Sequence, residues 1–158
     1  MKTTLIPADT SKNAQALTDM ASVLVPFDPF DTDTWTEPGT ETYWIMHCGA
    51  RIGIVSVKRD AAIAENYFDN LPKCPGSLYV LLIGVLPQYR RRKIAKRTFQ
   101  EVIAVARDRH MRVLQSNCRE SNRASERLHL SSGFKVTGKL PGYYPNPLED
   151  TITFSMDL

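Results

Sequence analysis

With 158 residues, 42% of them hydrophobic and 23% charged, and a formal net charge of +3, the chain can bury a core without metal or disulfide staples. That charge is too small to mark a nucleic-acid binder by itself, and no apolar run approaches the ~20 residues that span a bilayer. Cys48, Cys74 and Cys118 are widely spaced, and His47, His110 and His129 lack ligand spacing, which argues against a disulfide framework or a metal site.

The opening MKTTLIPADTSK has neither a long apolar region nor a small-residue cleavage site, so no secretory signal is expected and the expected compartment is the cytoplasm. Residues 3–7 predict a short strand. Asp9 or Thr10 can cap a helix in which Ala14, Leu17, Met20 and Leu24 recur at helical spacing, ended by Pro26. The stretch FDPFDTDTWTEPGT predicts a surface loop with at most a short helix. TYWIMH and RIGIVSV predict a hairpin closed by the CGA turn, and residues 60–76 a long connection.

Leu78–Leu86 is nearly continuous and β-rich, as in a strand buried on both faces. Pro87 stops it. From Arg91 the pattern turns helical, with Ala95, Phe99, Val102 and Ala106 in one stripe. MRVLQSNC predicts another strand. SNRASERLHLSSG predicts a helix capped by Ser121 or Asn122 and closed by Gly133. FKVTGKL and DTITFSMDL complete the strands, giving an α/β domain, residues 1–158, built on one mixed, mostly antiparallel sheet.

The junction after the buried strand carries four consecutive cations, Arg90, Arg91, Arg92 and Lys93. A strand that turns into a helix leaves N–H groups unpaired at the helix start, and with the helix dipole these make an anion site. The cations can add contacts to phosphate oxygens. A solvated basic turn is the competing reading. DNA or RNA backbone is a third, but no recognition motif accompanies it.

VLPQYRRRKIAKRTF resembles the cofactor loop of the GNAT superfamily of N-acetyltransferases, whose pattern is Arg/Gln-x-x-Gly-x-Gly/Ala after a strand ending Val-x-Pro. Arg90 matches the opening residue and Ala95 the closing one, while Lys93 replaces the first glycine. Early helical geometry would let Lys93 fill that place. SNRASERLHLSSGF resembles the family's Asn-x-x-Ala-x-x-Leu-Tyr-x-x-x-Gly-Phe segment, with Asn122, Ser125, Leu128, Gly133 and Phe134 in register. The tail GYYPNPLEDTITF is similar to that of the ribosomal-protein alanine acetyltransferases.

The resemblance implies the GNAT fold, with helices on both faces of the sheet and a V-shaped splay between the central strands. It implies that acetyl-CoA is held by Ile83, Gly84, Val85, Arg90, Arg91, Arg92, Lys93, Ile94, Ala95, Lys96 and Asn122. Gly84 suits a bulge or close ligand approach there. It implies that His129, where the family carries tyrosine, donates a proton or hydrogen bond to the leaving thiolate or, when neutral, serves as a base, and that Tyr143 and Tyr144, in a loop between the last two strands, contact the acceptor. Backbone N–H groups near Val85 or Leu86 would serve the oxyanion.

The expected reaction is direct acetyl transfer to a primary amine of a small molecule or a peptide, without a metal, nucleic acid or membrane, by a monomer or homodimer. The alanine-type relatives place a glutamate base where this chain has Asn117. Glu65, Asp69, Glu120 or a water chain stay open as the base. A CoA-binding module without catalysis is the rival from another class.

Overall fold

The computed structural model describes residues 2–158. In chain order, β1 is Thr4–Pro7, α1 Thr10–Leu24, α2 Thr32–Thr36, β2 Thr40–His47, β3 Ala50–Ala61 and β4 Lys73–Val85. A 3₁₀ turn, Pro87–Tyr89, leads to α3, Ile94–Asp108; then come β5 Val113–Arg119, α4 Arg123–Ser131, β6 Lys135–Pro145 and β7 Leu148–Asp157. Among the described residues the strands make a seven-stranded mixed sheet in the order β1-β2-β3-β4-β5-β7-β6. The α/β class read from the sequence is the class observed. Two compact units are distinguished: the chain through Lys58 with Leu81–Glu101, and Arg59–Val80 with Val102–Leu158.

In the first unit, Asp9 caps α1 by accepting from the Ser11 amide, and the helix buries Leu17, Ala21 and Leu24. That stripe packs with Trp35, Trp44, Ile54 and Leu82. The short α2 begins with a capping box between Asp31 and Thr34, and Trp35 Nε1 donates to Thr18 Oγ1 of α1 at 2.9 Å. Antiparallel pairing joins β1 to β2 and β2 to β3. Cys48 and Gly49 turn that hairpin with φ of 52° and 79°, the left-handed pair that tight hairpins favour.

Two glycines are demanded by packing. A Cβ on Gly84 would lie 2.9 Å from Leu24 Cδ1, and one on Gly53 only 2.2 Å from the Gly84 carbonyl oxygen. Gly84 therefore makes room for Leu24 of α1, and Gly53 lets the Gly84 carbonyl of the neighbouring strand come close.

In the second unit, Ser77–Tyr79 of β4 pair in parallel with Val113–Gln115 of β5. β7 lies antiparallel to both β5 and β6. Thr151, Ile152, Thr153 and Phe154 are all buried, so the middle of β7 is covered on both faces and the expected alternation does not hold there. Asn122 caps α4, accepting from the Ser125 amide at 3.1 Å. Gly133 ends it with φ of 103°, as the left-handed C′ position requires.

Several boundaries differ from expectation, three of them near the candidate sites. β4 starts at Lys73, inside what read as a connection, because Gly76 is tied at both ends: its amide to Asp60 Oδ1 at 2.9 Å, its carbonyl to the Arg112 amide at 2.7 Å. α3 starts at Ile94 rather than Arg91, because Arg91 and Lys93 have φ of 62° and 59°. Tyr143 and Tyr144 belong to β6 rather than a loop, with Tyr144 opposite Glu149 of β7.

Candidate functional site

The first unit carries the basic turn. β4 ends at Val85, and the Leu86 amide donates to the Ile52 carbonyl at 2.8 Å, which fixes where the chain leaves the sheet. Pro87–Tyr89 then makes one 3₁₀ turn, with the Tyr89 amide on the Leu86 carbonyl at 2.9 Å and the Arg90 amide on Pro87 at 3.2 Å. Arg90 has extended backbone. Its side chain folds back, Nε donating to the Val85 carbonyl at 2.9 Å, so this guanidinium ties the turn to the strand end.

Arg91 and Lys93 are both left-handed. For residues with a Cβ that costs roughly 1–2 kcal/mol each, and such strain persists where surroundings over-determine it, commonly at ligand sites. The early-helical geometry expected for Lys93 is thus corrected: the place keeps the positive φ that glycine would suit, with the Lys93 side chain exposed. The Lys93 carbonyl accepts from the Arg97 amide at 3.1 Å. The amides of Ile94, Ala95 and Lys96 precede the first intrahelical bond and face outward along the helix axis. Ile94 is buried with Ile45, Ile52 and Val85, which anchors the helix start. Arg91 and Arg92 are exposed. The turn thus presents free helix-start donors and cations in one place, an arrangement suited to phosphate oxygens.

The second unit carries a polar and aromatic cluster. The Tyr79 hydroxyl donates to Asn117 Oδ1 in a short bond. Asn117 Nδ2 in turn donates to Tyr144 Oη at 3.0 Å and to Thr151 Oγ1 at 3.1 Å, and Thr151 donates to the Cys118 carbonyl at 3.0 Å. Burial first, then the neighbouring Tyr143 and Tyr144, push the Tyr79 phenol well above its usual range. It stays a donor.

Tyr143 and Tyr144 are 9% and 7% exposed. Their rings meet edge-on at 5.0 Å, and Tyr67 packs on both at 5.8 Å. The Arg119 guanidinium lies 4.1 Å from the Tyr144 ring centroid and donates to the carbonyls of Asn146 and Pro147, holding the β6–β7 turn. Glu149, 3.5 Å from Arg119, is held below the usual carboxylate range by hydrogen bonds from Ser121 and Arg119.

His129 differs from expectation. It is 1% exposed, stacked on Phe154 at 4.3 Å and edge-on to Phe134 at 5.2 Å. Nδ1 lies 2.7 Å from the Ser125 carbonyl, and Nε2 lies 2.7 Å from Ser116 Oγ. A carbonyl accepts only, so Nδ1 carries the proton and Nε2 accepts from Ser116. Burial pushes its pKa down to about 4. In this arrangement the imidazole is neutral near pH 7 and its one N–H is bound to the helix backbone, which is the geometry of a core histidine rather than of the expected proton donor.

Of the other expected contacts, Asn122 spends its side-chain oxygen on capping α4. Ile83 and Gly84 are half-buried and Val85 buried within β4. Tyr67, Tyr79, Tyr89 and Arg119 escaped sequence reasoning, since only non-local packing distinguishes them from ordinary strand and loop residues. Among the described residues no helix is long and apolar enough to cross a membrane.

A family model described as the acetyltransferase (GNAT) family matches residues 14–134. No curated protein sequence matches the chain. Among solved structures, the ribosomal-protein-S18-alanine N-acetyltransferase of Escherichia coli is 18% identical, aligned over 99% of this chain and 94% of that one with a TM-score of 0.78. NAA60 of Arabidopsis thaliana, in complex with a bisubstrate analogue, is 18% identical over 99% of each chain, TM-score 0.79. A GNAT family acetyltransferase from Elizabethkingia anophelis with acetyl-CoA bound is 16% identical over 99% and 98%, TM-score 0.75. At these identities the likeness establishes the fold.

Proposed function

We propose, from the premise that this chain belongs to the GNAT acetyltransferase family, that it transfers the acetyl group of acetyl-CoA to a primary amine by direct attack. The observation that carries the reading is the turn Arg90–Lys96, where two strained non-glycine residues and a set of free helix-start amides present donors to an anion. Acetyl-CoA supplies such an anion in its pyrophosphate, and the thioester supplies the acetyl group. Backbone amides do most of the gripping, and the exposed Arg91 and Arg92 add charge-assisted contacts.

The acceptor is a small-molecule or peptide amine, met on the side of the second unit that carries Tyr143, Tyr144 and Tyr67. A nucleophilic amine must be unprotonated; its proton passes to Glu65, Asp69, Glu120 or water, since Asn117 cannot take it. The reading has the enzyme working in the cytoplasm, as a monomer or homodimer, without metal or nucleic acid.

A second reading, an N-terminal acetyltransferase of the alanine type, is favoured by the paired tyrosines before the β6–β7 turn and opposed by Asn117. The test is thiol release from acetyl-CoA with a panel of small amines and of peptides differing in their first residue. Release stimulated by an amine supports an enzyme, and the stimulating class decides the acceptor. Tight CoA binding with no release under any amine would leave a binding module instead.

A further inference from the structure

The four cations of the turn are not equivalent. Arg90 Nε is engaged by the Val85 carbonyl, and Arg91 and Lys93 sit on strained backbone. Arg92 has a different support: its guanidinium carbon lies 5.6 Å from the centroid of the Tyr89 ring, within the range over which a cation is drawn to an aromatic face. Its carbonyl accepts from Arg97 Nη2 at 2.9 Å, so the backbone beneath it is tied down as well.

Tyr89 is itself firmly placed. Its amide closes the 3₁₀ turn on Leu86. Its ring packs against the buried group Ile45, Ile52, Val85 and Ile94, and meets the His47 ring, at the end of β2, edge-on at 6.2 Å. An exposed arginine ordinarily samples many rotamers, and ordering it on binding carries an entropic cost. A ring anchored in the core narrows that set before any ligand arrives.

We infer that Tyr89 is a positioning residue for cofactor binding, holding Arg92 over its ring so that the guanidinium is already placed for a phosphate oxygen of acetyl-CoA. This rests on the acetyl-CoA reading of the turn. Tyr89 touches the ligand only through Arg92, so its contribution vanishes when Arg92 is removed. The phenol oxygen has no part in it, and phenylalanine serves equally.

Calorimetric titration of acetyl-CoA into the full chain tests this with wild type, Tyr89→Leu, Tyr89→Phe, Arg92→Ala and the double variant Tyr89→Leu with Arg92→Ala. Tyr89→Leu weakens binding about 2- to 5-fold, Tyr89→Phe leaves it unchanged, and the double variant binds no more weakly than Arg92→Ala. Thermal melting confirms that each variant is folded, and Tyr89→Met replaces Tyr89→Leu if the latter is not. Wild-type affinity in the non-aromatic variant, failure of phenylalanine to restore binding, or losses that add in the double variant would each overturn the inference. No binding of acetyl-CoA or CoA by the wild type would overturn the functional reading as well, a result recognisable before any variant is made.

Discussion

Lowering the pH should destabilise this protein in part through one buried imidazole. His129 has a folded pKa of about 4 against an ordinary 6.5, held down by burial. Between those values the unfolded chain binds a proton that the folded one refuses, so stability rises with pH across the window and is lost as pH falls from 6.5 toward 4. The difference of about 2.5 units corresponds to about 3 kcal/mol when fully expressed, at 1.36 kcal/mol per unit, a large share of a typical domain stability of 5–15 kcal/mol. Carboxylates contribute their own acid limb, so a reference is needed. His129→Gln supplies it, because an amide can still accept from Ser116 and donate to the Ser125 carbonyl but does not titrate. Urea unfolding at half-unit steps from pH 7.5 to 4.5 should show the wild type losing about 2–3 kcal/mol more than the variant, with the gap opening below pH 6.5. Parallel curves for the two proteins would refute the reasoning, since they would mean that position 129 binds no proton on unfolding.

The remaining expectations are direct. Gly84→Ala forces a Cβ to within 2.9 Å of Leu24 Cδ1 and should cost about 1–3 kcal/mol in urea unfolding, recovered in part by Leu24→Ala, whereas Gly53→Ala meets the Gly84 carbonyl and has no such partner to trim. Lys93→Gly should be more stable than Lys93→Ala by about 1 kcal/mol, the reverse of the order expected inside a helix; melting temperatures of the pair decide it. Alanine at Tyr143 should raise KM for whichever amine proves active in the thiol-release panel, with acetyl-CoA affinity by calorimetry nearly unchanged. Equal loss of both would assign Tyr143 to packing.

What the sequence displays best is whatever short-range chemistry decides. The caps, narrowed to Asp9 or Thr10 and to Ser121 or Asn122, the C′ glycine Gly133 and the turn at Cys48–Gly49 were legible, because each depends on residues within four positions. The basic turn was legible as a cation-rich junction between strand and helix but not in its geometry. Left-handed backbone at Arg91 and Lys93 has no local signature when glycine is absent, and only the finished strand end, the Leu86–Ile52 bond and the buried Ile94 impose it. β4 was read too short for a related reason: Pro75 and Gly76 look like a turn until Asp60 and Arg112, both distant in sequence, hold Gly76 in the ladder. The tyrosines of β6 looked like loop residues because Pro145, Asn146 and Pro147 follow them directly. His129 shows the limit most plainly. Its place after Leu128 in a helix motif says nothing of which way the ring turns, and Ser116 and Phe154, thirteen and twenty-five positions away, turn it inward.

Asn117 bears on how the absent glutamate should be understood. Thr151 spends its hydroxyl proton on the Cys118 carbonyl and therefore needs a donor from the other side. Asn117 provides one, and the same amide provides a second to Tyr144 Oη. Its oxygen meanwhile takes the proton of Tyr79, a phenol that burial keeps from ionising. A carboxylate at 117 could still accept from Tyr79, but it has no hydrogen to give, and it would set a charge against the Thr151 oxygen. The amide thus satisfies both oxygens with donors that no glutamate could offer. Position 117 in this chain is a fitted part of the tyrosine cluster, and under the proposed reaction an amine's proton passes to a group outside that network.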